Sequence, residues 1–312
     1  MILTLPNMPQ KGHQPPRTKQ PPHQCRNAKR DWIGALDASQ LQMLERQMRF
    51  EYARPRDVSD LGECYFYHTM EIPRYGLVNG QWDLRSGIRQ YTGGADFHAK
   101  RVLEIGTASG FVCFYMESQG ASVVAYDLSD KQAWDIVPFA ALDLERELAT
   151  RRSVIRKINN GFWLAHRAFR SQAMVAYGTV YNIPTGIGPV DVSTFCSVLL
   201  HLRDPFLALS NAARLTRETI VVTDTIVDVA GVNESRTAPS AETRPLMTFL
   251  PDARTTNPVD TWWRLSAGAV QAFLGVLGFE ESTVTEHVQR STWGDVPMFS
   301  VVAQRTSGKP LC

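Results

Sequence analysis

The chain has no apolar run approaching the roughly 18 residues that a membrane-spanning helix needs, and no secretory hydrophobic segment near its start. A membrane partner is therefore not expected. Its five cysteines (Cys25, Cys64, Cys113, Cys196 and Cys312) are odd in number and scattered, with no CxxC pair and no Cys/His spacing of a zinc site. Free thiols in a reducing cytoplasmic setting, with no metal, are the simplest expectation. Acid is missing from residues 1–30, which hold six basic residues and six prolines. Such a segment cannot bury enough apolar surface to offset its ordering entropy, so 1–30 is expected to be a disordered tail; a basic RNA-touching arm is the alternative.

The remaining chain is slightly acidic, because it keeps all 31 Asp and Glu but not all 33 Lys and Arg. That argues mildly against a nucleic-acid enzyme, whose folded body usually carries a basic face. The length of 312 residues and the 44% hydrophobic content allow one large domain with additions, or two small ones. Acid is absent again from Leu148 to Val190, where Arg151, Arg152, Arg156, Lys157, Arg167 and Arg170 fall. A solvated helix face and a phosphate-binding face both fit that pattern.

The chain is organised around residues 101–127. Val102, Leu103 and Ile105 form a short β run ending at Gly106; Phe111 to Gln119 suits a helix that stops at Gly120; Val123 to Tyr126 is a second strand with Asp127 at its carboxyl end. This is a nucleotide-binding βαβ half. The glycines do not make the dinucleotide pattern G-x-G-x-x-G, since Ala108 and Phe111 stand where two of them would fall. The segment Glu104-x-Gly106-x-x-x-Gly110 instead resembles motif I of the class I S-adenosylmethionine (SAM) dependent methyltransferases. Asp127, about 20 residues on, is placed to accept the ribose hydroxyls.

Upstream, Leu41, Leu44, Met48 and Tyr52 recur at helical spacing. The stretch Tyr65–Pro73 and Gln81–Arg85 mixes aromatic and polar residues, as either a packed lead-in or a substrate-lining lid would. Downstream, a helix is expected over 152–170, strands over 173–177, 191–196 and 219–223, and a helix after Asp204 and Pro205. Residues 226–265 are irregular, rich in Thr, Pro and Asn, and read as an insertion over the site. Ser266 caps a last helix closed by Gly278. The runs 281–287 and 298–303 lie close enough to pair as an antiparallel hairpin. The expected fold is α/β: a Rossmann-like class I methyltransferase sheet with helices on both faces and a C-terminal antiparallel hairpin. The expected layout is a tail (1–30), an N-terminal helix and lid (31–99) and a SAM-binding domain (100–305).

Tyr67–Pro73, Gln81–Arg85, Val102–Phe111, Leu199–Pro205 and Trp262-Trp263 resemble the branch of these enzymes related to the tRNA wobble-uridine carboxymethyltransferases, over roughly residues 60–305. The expected cofactor is SAM, with Glu104, Gly106, Thr107, Gly110, Asp127, Val180, Tyr181 and Cys196 as its contacts. His201, after the fourth strand, is the first candidate for a base or substrate contact, against a helix-entry histidine bonded to backbone; His68 is the second. Tyr65, Tyr67, Arg85, Trp262 and Trp263 are candidate substrate contacts, although the two tryptophans would serve equally to bury a loop. The resemblance implies that carboxymethyl-transferring relatives hold an extra cofactor carboxylate with a lysine before the domain and a tyrosine just before the histidine. Here the tyrosine position is Leu200, no lysine lies around His68 and Thr69, and only Arg290 could supply a cation. Ordinary SAM and methyl transfer to a small molecule are therefore expected, with tRNA modification as the alternative.

Overall fold

The computed structural model describes residues 50–226 and 244–307. The chain divides into two units at Phe50. The tail 1–30, the expected helix from Asp37 up to residue 49, and residues 227–243 of the insertion lie outside the described residues; Tyr52, expected on that helix, is not helical.

In chain order the body contains β1 (Met70–Ile72), β2 (Gly76–Val78), β3 (Trp82–Asp83), α1 (Ile88–Tyr91), β4 (Arg101–Ile105), α2 (Phe111–Ser118), β5 (Ser122–Asp127), α3 (Leu144–Phe169) and β6 (Met174–Tyr177). There follow β7 (Val190–Cys196), α4 (Pro205–Ala213), β8 (Thr216–Thr225), β9 (Met247–Phe249), β10 (Trp263–Leu265), α5 (Ala267–Val276), β11 (Glu281–Ser291) and β12 (Gly294–Gln304).

Eight strands form one sheet in the order β3-β11-β12-β8-β7-β4-β5-β6. From β8 to β6 all pairings are parallel, and β12 joins β8 antiparallel with β11 beyond it. This is the expected α/β sheet with its C-terminal hairpin, which runs longer than its apolar runs indicate. The order reverses at β4: β5 and β6 lie to one side, β7 and β8 to the other. In open α/β sheets ligands bind at such a switch point, outside the carboxyl ends of the strands.

The central strands are buried on both faces, as parallel sheets require. Leu103, Ile105, Val124 and Phe195 pack on one side with Ala208 and Leu209 of α4 and Val270 and Leu274 of α5. Val102, Val123, Ala125 and Val175 pack on the other with Val112 and Met116 of α2 and Phe162 and Leu164 of α3. Caps fix where helices begin. The Asp204 carboxylate accepts the Leu207 amide at 2.9 Å with Pro205 in the first turn, and Ser266 Oγ accepts the Ala269 amide at 3.1 Å.

Helix α3 begins eight residues before the expected Arg152, at Leu144. Asp143 caps it, and Glu145 and Glu147 favour its positive end. Those first two turns are largely exposed, so they carry no apolar stripe to signal a helix. Among the described residues no helix is long and apolar enough to cross a membrane.

Candidate active site

A cavity of about 680 Å³ opens at the carboxyl ends of β4, β5 and β7. The glycine turn after β4 forms part of its wall. The Gly106 amide donates to the Tyr126 carbonyl at 2.8 Å, tying the turn to β5. Gly106 and Gly110 both take positive φ (76° and 91°), where a side chain is strained. A Cβ on Gly106 would stand 2.5 Å from Val198 Cγ2, so glycine is needed for packing as well as for the turn.

Asp127 lines the cavity. Its Oδ2 accepts the Ala108 amide and its Oδ1 the Leu128 amide, each at 2.7 Å. Burial pushes this carboxyl upward, and the two amides only partly oppose that. Each oxygen keeps a further lone pair for a ligand hydroxyl. On the adjoining wall Tyr181 donates to Asp135, which also accepts the Arg203 amide at 2.8 Å; Val180 and Tyr181 thereby stand fixed in the lining. Cys196 lines the cavity too, as a thiol raised by burial.

Three expected contacts do not line the cavity. Glu104 is buried beneath the turn, where Thr107 donates to it at 2.6 Å. Burial raises the Glu104 carboxyl to about 8, so it is protonated at neutral pH. Glu104 and Thr107 brace the turn from behind. Gly110 is the left-handed residue before α2, and a Cβ there would meet the Phe114 ring at 2.6 Å.

His201 lines the cavity, with Nδ1 2.6 Å from the Asp260 carbonyl. A carbonyl only accepts, so Nδ1 carries the proton and Nε2 keeps its lone pair. Desolvation lowers this imidazole's pKa and holds it neutral. His201 is thus bonded to backbone and faces the cavity at once. His68 also lines the cavity, lowered by burial to about 4. Tyr65 and Tyr67 join it there.

Arg85, Trp262 and Trp263 are directed elsewhere. Arg85 pairs with Asp83 at 2.7 Å in solvent. The Trp262 indole donates to the Asp135 carbonyl at 2.8 Å and the Trp263 indole to the Arg203 carbonyl at 3.1 Å. Both tryptophans pin their segment to the body and lie outside the lining. Arg290 pairs with Asp295 at 3.7 Å and is largely exposed, also outside the lining.

Gln81, from the stretch expected as a lead-in or lid, lines the cavity, as do Arg151 from the acid-free basic stretch and Asp260 and Trp293, which no local pattern marks. Arg151 binds Glu147 at 2.6 Å and Asp260 at 2.7 Å, joining α3 to the segment before β10. The Thr292 amide donates to the Gln81 carbonyl at 2.9 Å, and Ser291 pairs with Trp82. Together these hold the β11–β12 turn, and Trp293 with it, at the cavity. The i,i+4 spacing of Glu147 and Arg151 was readable; the partnership with Asp260 depends on the fold.

No protein-family model matches the chain, and no curated protein sequence matches it. Solved structures do. The N-terminal domain of EvdMO1, in the presence of S-adenosylhomocysteine (SAH) and D-fucose, is 16% identical, covering 87% of this chain and 98% of that one, with a TM-score of 0.43. The 1,6-didemethyltoxoflavin-N1-methyltransferase of Burkholderia thailandensis, with that compound and S-adenosylhomocysteine bound, is 12% identical, covering 70% and 78%, with a TM-score of 0.43. Magnesium protoporphyrin IX methyltransferase (ChlM) of Synechocystis PCC 6803, with SAH bound, is 10% identical, covering 72% and 82%, with a TM-score of 0.42.

Proposed function

We propose that the chain is an S-adenosylmethionine-dependent methyltransferase acting on a small-molecule acceptor. The observation that carries this reading is the placement of Asp127. It is a half-buried carboxylate at the end of β5, on the switch-point cavity, anchored to the amide of the glycine turn. That arrangement suits a ribose, whose two hydroxyls would donate to the carboxylate and offset its desolvation. Val180 and Tyr181 flank the adenine in this reading, and Gly106 and Cys196 line the same space.

When bound, the cofactor supplies a methyl already activated by its sulfonium. The chain's own task is alignment, exclusion of water and, where the acceptor needs it, removal of a proton. His201 suits that last role through Nε2, because the Asp260 carbonyl fixes its tautomer and its orientation.

The charge of the wall favours ordinary SAM over a cofactor with an extra carboxylate. Arg151 is the only Lys or Arg among the described residues lining the cavity, and two carboxylates already neutralise it. Arg290 is held by Asp295, and Leu200 offers no hydroxyl. Among the described residues an added carboxylate would be desolvated without a partner, at a cost of several kcal/mol. The wobble-uridine carboxymethyl reading therefore has no support in the cavity. A cytoplasmic setting and the absence of a membrane partner go with this proposal.

Activity profiling with methyl-labelled SAM against tRNA and against a metabolite extract tests it. Label is expected in the small-molecule fraction. Transfer to tRNA alone would overturn the choice of acceptor.

A further inference from the structure

Resting on the methyltransferase reading, the cavity also indicates what kind of acceptor it takes. His68 is only 6% exposed and lines the cavity, yet its buried Nδ1 has no hydrogen-bond partner among the described residues. Its backbone is fixed: the His68 amide lies 3.4 Å from Ser109 Oγ behind the glycine turn, and the Thr69 amide donates to the Trp82 carbonyl at 2.7 Å. A buried ring nitrogen without a partner costs stability unless something bonds it. Its neighbours are rings. Tyr67 meets it edge-on with centroids 5.2 Å apart, and Phe111 lies at 6.0 Å.

Trp293 completes this wall. It is 68% exposed on the β11–β12 turn, against the edge of Trp82 at 5.9 Å, and it still lines the cavity. Tyr65 and Gln81 lie in the same lining. Aromatic walls of this kind bury flat, apolar surface. The charge of the lining narrows the class further. Arg151 is already paired twice, while Asp127, Asp135 and Asp260 also line the cavity, so among the described residues an anion would meet no free cation.

We infer that the wall formed by Tyr65, Tyr67, His68, Gln81 and Trp293 binds an uncharged aromatic acceptor whose hydroxyl or ring N–H bonds the His68 imidazole. His68 is here a binding residue for the acceptor, and Trp293 is the ring that covers it.

The test uses the full chain. Binding of SAH is measured first by calorimetry, and this arm reports on the parent reading alone. With SAH present, equilibrium dialysis then compares 2-naphthol with naphthalene and with 2-naphthyl phosphate. Saturable binding of 2-naphthol is expected, weaker by about tenfold for naphthalene, as befits one lost hydrogen bond, and absent for the phosphate. His68→Ala and Trp293→Ala should each weaken 2-naphthol binding while leaving SAH affinity unchanged. The Trp293 variant guards against a folding defect at the buried histidine. Equal binding of the phosphate, or 2-naphthol binding untouched in both variants, or no 2-naphthol binding beside normal SAH binding, would overturn the inference alone. Loss of SAH binding in the unaltered chain would overturn the methyltransferase reading with it.

Discussion

The Ala108 amide and the Asp127 carboxylate meet at 2.7 Å, joining the turn after β4 to the end of β5. One contact thus sets the position of the loop and the orientation of the acid it would share with a ribose. The turn cannot relax away from it, because Gly106 is bonded to Tyr126 on the same strand.

Replacing Gly106 by valine should abolish cofactor binding. The residue sits at a φ of 76°, and its Cβ would fall 2.5 Å from Val198. The left-handed conformation alone costs about 1–2 kcal/mol for a residue with a side chain. Calorimetry with SAM, alongside a thermal melt, checks the outcome: binding should vanish while the melting temperature also falls.

Glu104→Gln should keep the fold and change its response to pH. In the folded chain this carboxyl is raised to about 8 by burial, well above the ordinary value near 4.5. Between those values the native state keeps a proton that the unfolded chain has released. Stability from this group therefore falls as pH rises through that window. Glutamine mimics the protonated acid, so the drop in urea midpoint between pH 5 and pH 8 should be smaller in the variant. An identical drop would show that Glu104 is ionised in place.

Arg151→Ala should destabilise the body and weaken transfer. The substitution strands Asp260, whose carbonyl orients His201, and leaves Glu147 unpaired. The side chain is about one-fifth exposed, so the loss should be moderate, about 1–3 kcal/mol, less than for a fully buried pair. Denaturant titration measures the stability. A lower kcat with little change in SAM affinity would mark the effect on His201.

Much of this site is readable along the chain because its signals are local. The β run ending at Gly106, the acid closing the next strand, and the caps at Asp204 and Ser266 all act within a few residues. What was hidden depends on distant pairing. Trp293 reaches the cavity because the two-residue strand β3 adds to the edge of β11. Asp260 gains its role from Arg151 on another element. Trp262 and Trp263 were ambiguous for a different reason: an indole that stacks on a substrate and one that pins a loop have the same sequence. Glu104 lies outside the lining because its face of β4 turns toward α2, which periodicity alone does not label as cavity or core.

Trp262→Phe separates those two roles. Losing the indole bond to the Asp135 carbonyl should cost about 1 kcal/mol and lower the melting temperature by a few degrees. Acceptor KM should not change, since the ring lies outside the cavity lining. A large rise in KM at unchanged stability would return Trp262 to the substrate site.

The central claim is that Asp127 holds the cofactor, and calorimetric titration of SAM into the unaltered chain and into Asp127→Ala tests it most directly. The account predicts that the unaltered chain binds SAM and that the variant, folded by circular dichroism, binds it more weakly by about 1.5–3 kcal/mol, the range for hydrogen bonds to a charged group. Equal affinity in a folded variant would contradict it.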